Sequence, residues 1–76
     1  MGAYKAIHVL EAARKAFYSA NQDENYAKSR ANAFVSRCGA DINLGPKQLL
    51  SHEVVRQVAF SMLDVDTENV FWSSLQ

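Results

Sequence analysis

Between Asp23 and Gly39 the sequence DENYAKSRANAFVSRCG sets Ala27, Ala31, Phe34 and Cys38 at spacings of four, three and four. At about 100° per residue these positions form one narrow apolar stripe, which predicts a helix with a single buried face. Asp23 can accept a hydrogen bond from the first free N–H groups, and Gly39 can take the left-handed conformation that ends a helix. The opposite face is less usual. Asn25, Ser29, Asn32 and Ser36 fall within roughly a 60° arc that carries no charge. A solvated helix face normally bears Lys and Glu, whereas short polar side chains let a second backbone approach and lose little rotamer entropy when ordered. The face is therefore a candidate contact surface. Glu24 and Lys28 lie on one flank, and Tyr26, Arg30 and Arg37 on the other.

Upstream, Ala3 to Ala20 carries apolar residues over about half of the helical wheel. Much of that face is alanine, with Ala6, Ala13 and Ala20 seven apart, so a neighbouring helix can come close to the backbone there. The other side holds Tyr4, His8, Glu11, Lys15 and Tyr18, with Glu11 and Lys15 forming a favourable i,i+4 pair. Only Asn21 and Gln22 separate this helix from the Asp23 cap, which predicts that the first two helices are antiparallel neighbours.

Downstream, GADINLGP is irregular, and Ile42 and Leu44 are expected to anchor it by turning into the core. Pro46 suits the first position of a new helix, so a short helical turn is expected over 47–50. From Ser51, a second N-cap candidate, HEVVRQVAFSMLDV places Val54, Val55, Val58, Ala59 and Met62 on one face. Its period is that of a helix although three valines lower the intrinsic propensity. Phe60 falls among Glu53, Arg56 and Asp64 on the polar side, and packing against Phe71 or Trp72 would shelter it. After a break at 64–67, capped by Asp66 or Thr67, a last short helix must dock to be stable. The predicted fold is all-α: one domain over 1–76, a bundle of four helices or five with the turn at 47–50.

With 76 residues, such a domain buries about 60% of the surface its unfolded chain exposes. Stability is expected near roughly 4 to 11 kcal/mol, small enough for self-association to matter. Eight basic and eight acidic residues cancel, but the first half (1–38) carries six basic and three acidic, the second two and five. That makes the chain dipolar rather than drawn to polyanions. A single cysteine on an apolar stripe reads as a buried small hydrophobe in a reducing compartment. His8, Glu11 and Arg14 interrupt any signal-peptide core, and no apolar run is long enough to span a membrane. A cytoplasmic protein with no membrane association is expected. A chain of this size starting at Met1 suits a stand-alone accessory protein of the kind phages and plasmids carry.

The chemistry-bearing motifs are incomplete. Asp64, Asp66 and Glu68 resemble the first half of a calcium loop, but Asn69 stands in place of the turn glycine and Leu75 in place of the bidentate glutamate. His52-Glu53 begins like a zinc-protease helix, with Arg56 where the second histidine belongs. No phosphate-cradling glycine loop is present, and neither enzymatic activity, nor a cofactor, nor a metal is expected. A helix-turn-helix reading would use Lys28, Arg30 and Arg37 with Asn25, Ser29, Asn32 and Ser36 on DNA, against an acidic second half. The expectation that best uses the residues is a small interaction protein, a regulator or inhibitor that binds another protein. Its candidate contacts are Asn25, Tyr26, Ser29, Arg30, Asn32, Ser36 and Arg37, with Phe60 and Trp72, since aromatics and arginine concentrate interface energy. A helical assembly subunit is the remaining alternative.

Overall fold

The alanine-rich segment folds as predicted except at its start. In the computed structural model, which describes residues 2–75, the first element is a strand, β1 (Ala3–Lys5), that runs directly into α1 (Ala6–Asn21). Gln22 ends α1 in the left-handed conformation, at φ 56°. Asp23 then caps α2 (Glu24–Arg37), its carboxylate accepting the Tyr26 N–H at 3.0 Å. Gly39, at φ 91°, takes the chain out of α2 as the sequence requires. A single 3-10 turn (Ile42–Leu44) leads to β2 (Leu49–Ser51), α3 (His52–Met62) and α4 (Val65–Leu75). The chain is mostly helical but not all-α.

The two strands are the main departure from the expected fold. They pair antiparallel, Tyr4 opposite Leu50, in place of the helical turn expected over 47–50 and of the first residues of helix one. Their alternation is visible in burial: Leu50 points inward and is buried while Leu49 and Ser51 face out. The pairing also serves the helix ends. Lys5 offers α1 no side-chain cap, and the first free N–H groups instead reach the main chain before β2, Ala6 to Gln48 O at 2.8 Å and Ile7 to Pro46 O at 2.9 Å. In return the His52 N–H donates to Gly2 O, while Ser51 Oγ caps α3 at the Val54 N–H.

The core lies where α1 meets α2 and α4. Early residues of α1 adjoin late ones of α2, and Arg14 and Phe17 adjoin Glu24 and Tyr26, so the pair is antiparallel as expected. Val9, Ala13 and Ala16 of α1 have no solvent exposure, and Phe34 of α2 stacks on Phe71 of α4 at 5.0 Å. Val55 and Ala59 bring α3 into the same core, with Val54 on its exposed side. Cys38 closes the stripe as a buried hydrophobe; burial pushes its thiol up to about 11, leaving it protonated and unreactive near neutrality.

The last helix is longer than expected and capped earlier. Asp64, not Asp66 or Thr67, is the cap: its carboxylate accepts the Thr67 N–H at 2.9 Å and the Thr67 hydroxyl at 2.8 Å, while the Asp64 N–H donates back to Thr67 Oγ1. These bonds from Thr67 hold the Asp64 carboxyl below its ordinary value of 3.8. A lowered folded value means the cap stabilises fully above the unfolded value and is lost as pH falls through the folded one. Asp64→Asn, which keeps the acceptor and removes the charge, should lower the thermal midpoint at neutral pH and converge on wild type in acid, once the carboxyl is protonated in both folded and unfolded chains. Midpoints at both pH values check this.

Candidate functional site

The outward face of α2 is open. Asn25, Ser29, Asn32 and Ser36 are all exposed, and no other element folds over them. What the sequence does not reveal is that this face runs into an apolar groove of about 500 Å³ between α1, α2 and the loop after α2. Ile7 and Leu10 of α1 form one wall, Val35, Asn32 and Ser36 of α2 the other, and Ala40, Ile42 and Pro46 the end. The antiparallel hairpin sets the α1 start beside the α2 end, and the Ile7 N–H bond to Pro46 O holds the loop across them.

Ile42 and Leu44 do not enter the core. Ile42 is 94% exposed at the groove's lip and Leu44 is 64% exposed. The reason is local: Asp41 accepts the Asn43 N–H at 2.9 Å, which winds residues 42–44 into a turn, and Gln48 holds the loop's base through the Asp41 N–H and Gly39 O. The turn is thus fixed by polar bonds at its base. Asp41 is the one charged residue in the groove's lining.

The remaining predicted contacts divide. Tyr26 is partly exposed with its ring edge-on to Phe17 at 6.3 Å, and the Arg30 guanidinium lies 5.5 Å from the centre of the same ring. Arg30 Nε is buried with no hydrogen-bond partner, so this arginine covers the core rather than projecting from it. Arg37 is exposed in the last turn of α2. Tyr26, Arg30 and Arg37 share the flank of α2 away from Val35, by helical spacing, and so do not line the groove.

Phe60 and Trp72 lie elsewhere, and they do not meet as expected. Phe60 is 81% exposed. Beside it Arg56 and Glu53 pair at 2.6 Å, and the guanidinium holds the Glu53 carboxyl below its usual range. Trp72 packs edge-on to Phe71 at 4.9 Å and against Tyr4 and His52, with Nε1–H donating to Glu68. Tyr4, read as part of the outer face of helix one, is instead on β1, sharing a 2.6 Å hydrogen bond between its hydroxyl and His52 Nδ1. This half-buried cluster joins β1, α3 and α4 on the core side of α2, opposite the Asn and Ser face.

A second crease at the other end of the hairpin is lined by charged side chains, Glu11, Arg14, Lys15 and Glu24, together with Tyr18, with Arg14 and Glu24 paired at 3.3 Å. Among the described residues no three His, Cys, Asp or Glu side chains stand close enough to hold a metal ion, and no helix is long and apolar enough to cross a membrane. The acidic run Asp64, Asp66, Glu68 lies at the start of α4, with Asp64 engaged as its cap. No protein-family model, curated protein or solved structure matches the chain.

Proposed function

We propose that this chain is a small non-enzymatic interaction protein that binds a partner protein through the α1–α2 groove and the adjoining Asn and Ser face, acting as a regulator or inhibitor of what it binds. The observation that carries this reading is the groove itself: an apolar cleft, bordered by short uncharged side chains, with an almost fully exposed isoleucine at its lip. An interface core is depleted of charge and its rim is polar, and the groove with Asn32 and Ser36 along one side has that composition.

The alternative, a helix-turn-helix-like DNA-binding regulator, relies on Lys28, Arg30 and Arg37 of α2. Arg30 lies over Phe17, and Lys28 and Arg37 are nine residues apart, which places them about 180° apart on the helix. A single row of phosphate contacts along α2 is therefore poorly served, and the protein reading is the better supported one.

Asn32→Lys tests the proposal. On an exposed helix position the substitution should change stability by no more than about 0.5 kcal/mol. In the groove's wall it places a long charge where a partner's apolar side chain must sit. Capture of host proteins from nuclease-treated extract should give a specific partner with wild type and lose it with Asn32→Lys. Equal capture by both, from variants of equal stability, contradicts the groove as the docking surface; capture that disappears with nuclease points to nucleic acid.

A further inference from the structure

We infer that the partner segment seated in the α1–α2 groove is an amphipathic helix that carries a lysine or arginine beside its apolar face, placed to meet Asp41. The inference rests on the groove being the docking surface and names what fits it. Both long walls are helices, so the main-chain groups of Leu10, Asn32, Val35 and Ser36 are taken up by the bonds of α1 and α2. Those at the closed end are engaged as well: the N–H groups of Ala6 and Ile7 donate to Gln48 O and Pro46 O, Ala40 to Val35 O, Asp41 to the Gln48 side chain and Gly45 to Ile42 O. Of the lining residues only Ile42 keeps a main-chain N–H without a bond among the described residues. An extended segment that adds as a strand needs a row of such groups to pair with, and the groove has none. A helix satisfies its own backbone and brings side chains alone.

The walls set the spacing. Ile7 to Leu10 on α1 and Asn32 to Ser36 on α2 each run for one turn, roughly 5 Å along the axis. The occupant therefore presents two apolar side chains three or four positions apart, which are neighbours on one helix face. These meet Ile7, Leu10 and Val35, and Ile42, 94% exposed at the lip, loses its water against them. Asp41 supplies the charge complementarity: it is exposed, it is the one charged side chain in the lining, and it is in no ion pair among the described residues. One carboxylate oxygen accepts the Asn43 N–H, which leaves the other for a cation. Because Asp41 stands at the loop end of the groove with Ala40 and Pro46, the base lies one turn beyond the apolar pair.

Selection of binders from a random peptide library, of about 16 residues so that four turns can form, reads this chemistry on the full chain. The recovered peptides should share two apolar residues three or four apart with Lys or Arg one turn away, and should gain helical circular dichroism on binding. Asn32→Lys should release them. Asp41→Asn keeps an acceptor for the Asn43 N–H, and so the turn, and should weaken a recovered peptide by about threefold, the size of one exposed ion pair. The same peptide with its base changed to Gln should bind Asp41→Asn and wild type equally. Recovered peptides that bind in extended form, or a loss on Asp41→Asn that is the same with and without the peptide's base, overturn the inference; if Asn32→Lys still releases those peptides, the docking surface stands. If Asn32→Lys releases none of the recovered peptides, the docking surface fails with it.

Discussion

Phe34→Ala should remove a large share of the domain's stability. Phe34 has no solvent exposure and lies between the rings of Phe71, at 5.0 Å, and Phe17, at 6.5 Å, so it joins three helices at one point. Truncating a buried phenylalanine costs about 3 to 5 kcal/mol, from lost burial and from the cavity left behind. A domain of this length has only about 4 to 11 kcal/mol to lose. Neighbouring alanines on α1 cannot extend into the space, so the cavity will close poorly. Urea denaturation followed by circular dichroism should show the midpoint falling well below that of wild type. A midpoint close to wild type would remove Phe34 from the centre of the core.

The second large effect is expected from adding volume. Ala6, Ala13 and Ala20 form one series in the sequence, but the packing separates them: Ala13 has no exposure and Ala20 is exposed. α1 lies against both α2 and α4, and at Ala13 the small side chain is what allows that approach. Ala13→Leu should therefore cost about 1 to 3 kcal/mol through overpacking, because the leucine has no low-energy rotamer to occupy. Ala20→Leu should stay within about 0.5 kcal/mol. Both residues are good helix formers, so propensity does not confuse the comparison. Equal stability of the two variants would mean that α1 does not pack through its alanines.

How much of this could be read from the chain follows from which signals are local. α2 was fully legible, since Asp23, the stripe ending at Cys38 and Gly39 all act within one helix, and its observed span falls inside the predicted one. The Ser51 cap of α3 was legible for the same reason. β1 and β2 were not: each has three residues, too few to show a period, and their pairing joins residues more than forty apart. Ile42, Leu44 and Phe60 read in the sequence as packed residues because they are apolar. Their exposure shows that apolar character alone does not bury a side chain: Ile42 and Leu44 are held out by a turn that Asp41 and Gln48 fix, and Phe60 by its place on the polar side of α3. Of the candidate site, the exposed Asn and Ser face was visible as a pattern on one helix. The groove was not, because its walls come from Ile7, Val35 and Pro46, three segments brought together only by the hairpin and the loop bond.

The docking surface is tested most directly by hydrogen exchange on the chain with its captured partner bound. Amides lose exchange where the partner excludes water and stabilises local structure. Slower exchange is predicted in the loop from Gly39 to Gln48, where the N–H groups of Ile42 and Lys47 make no backbone bond among the described residues that would already protect them. It should extend to the end of α2 around Asn32 to Ser36 and leave the Phe60 side of α3 unchanged. Protection confined to α3 and α4, with the Gly39 to Gln48 loop exchanging as fast as in the free chain, would contradict the assignment.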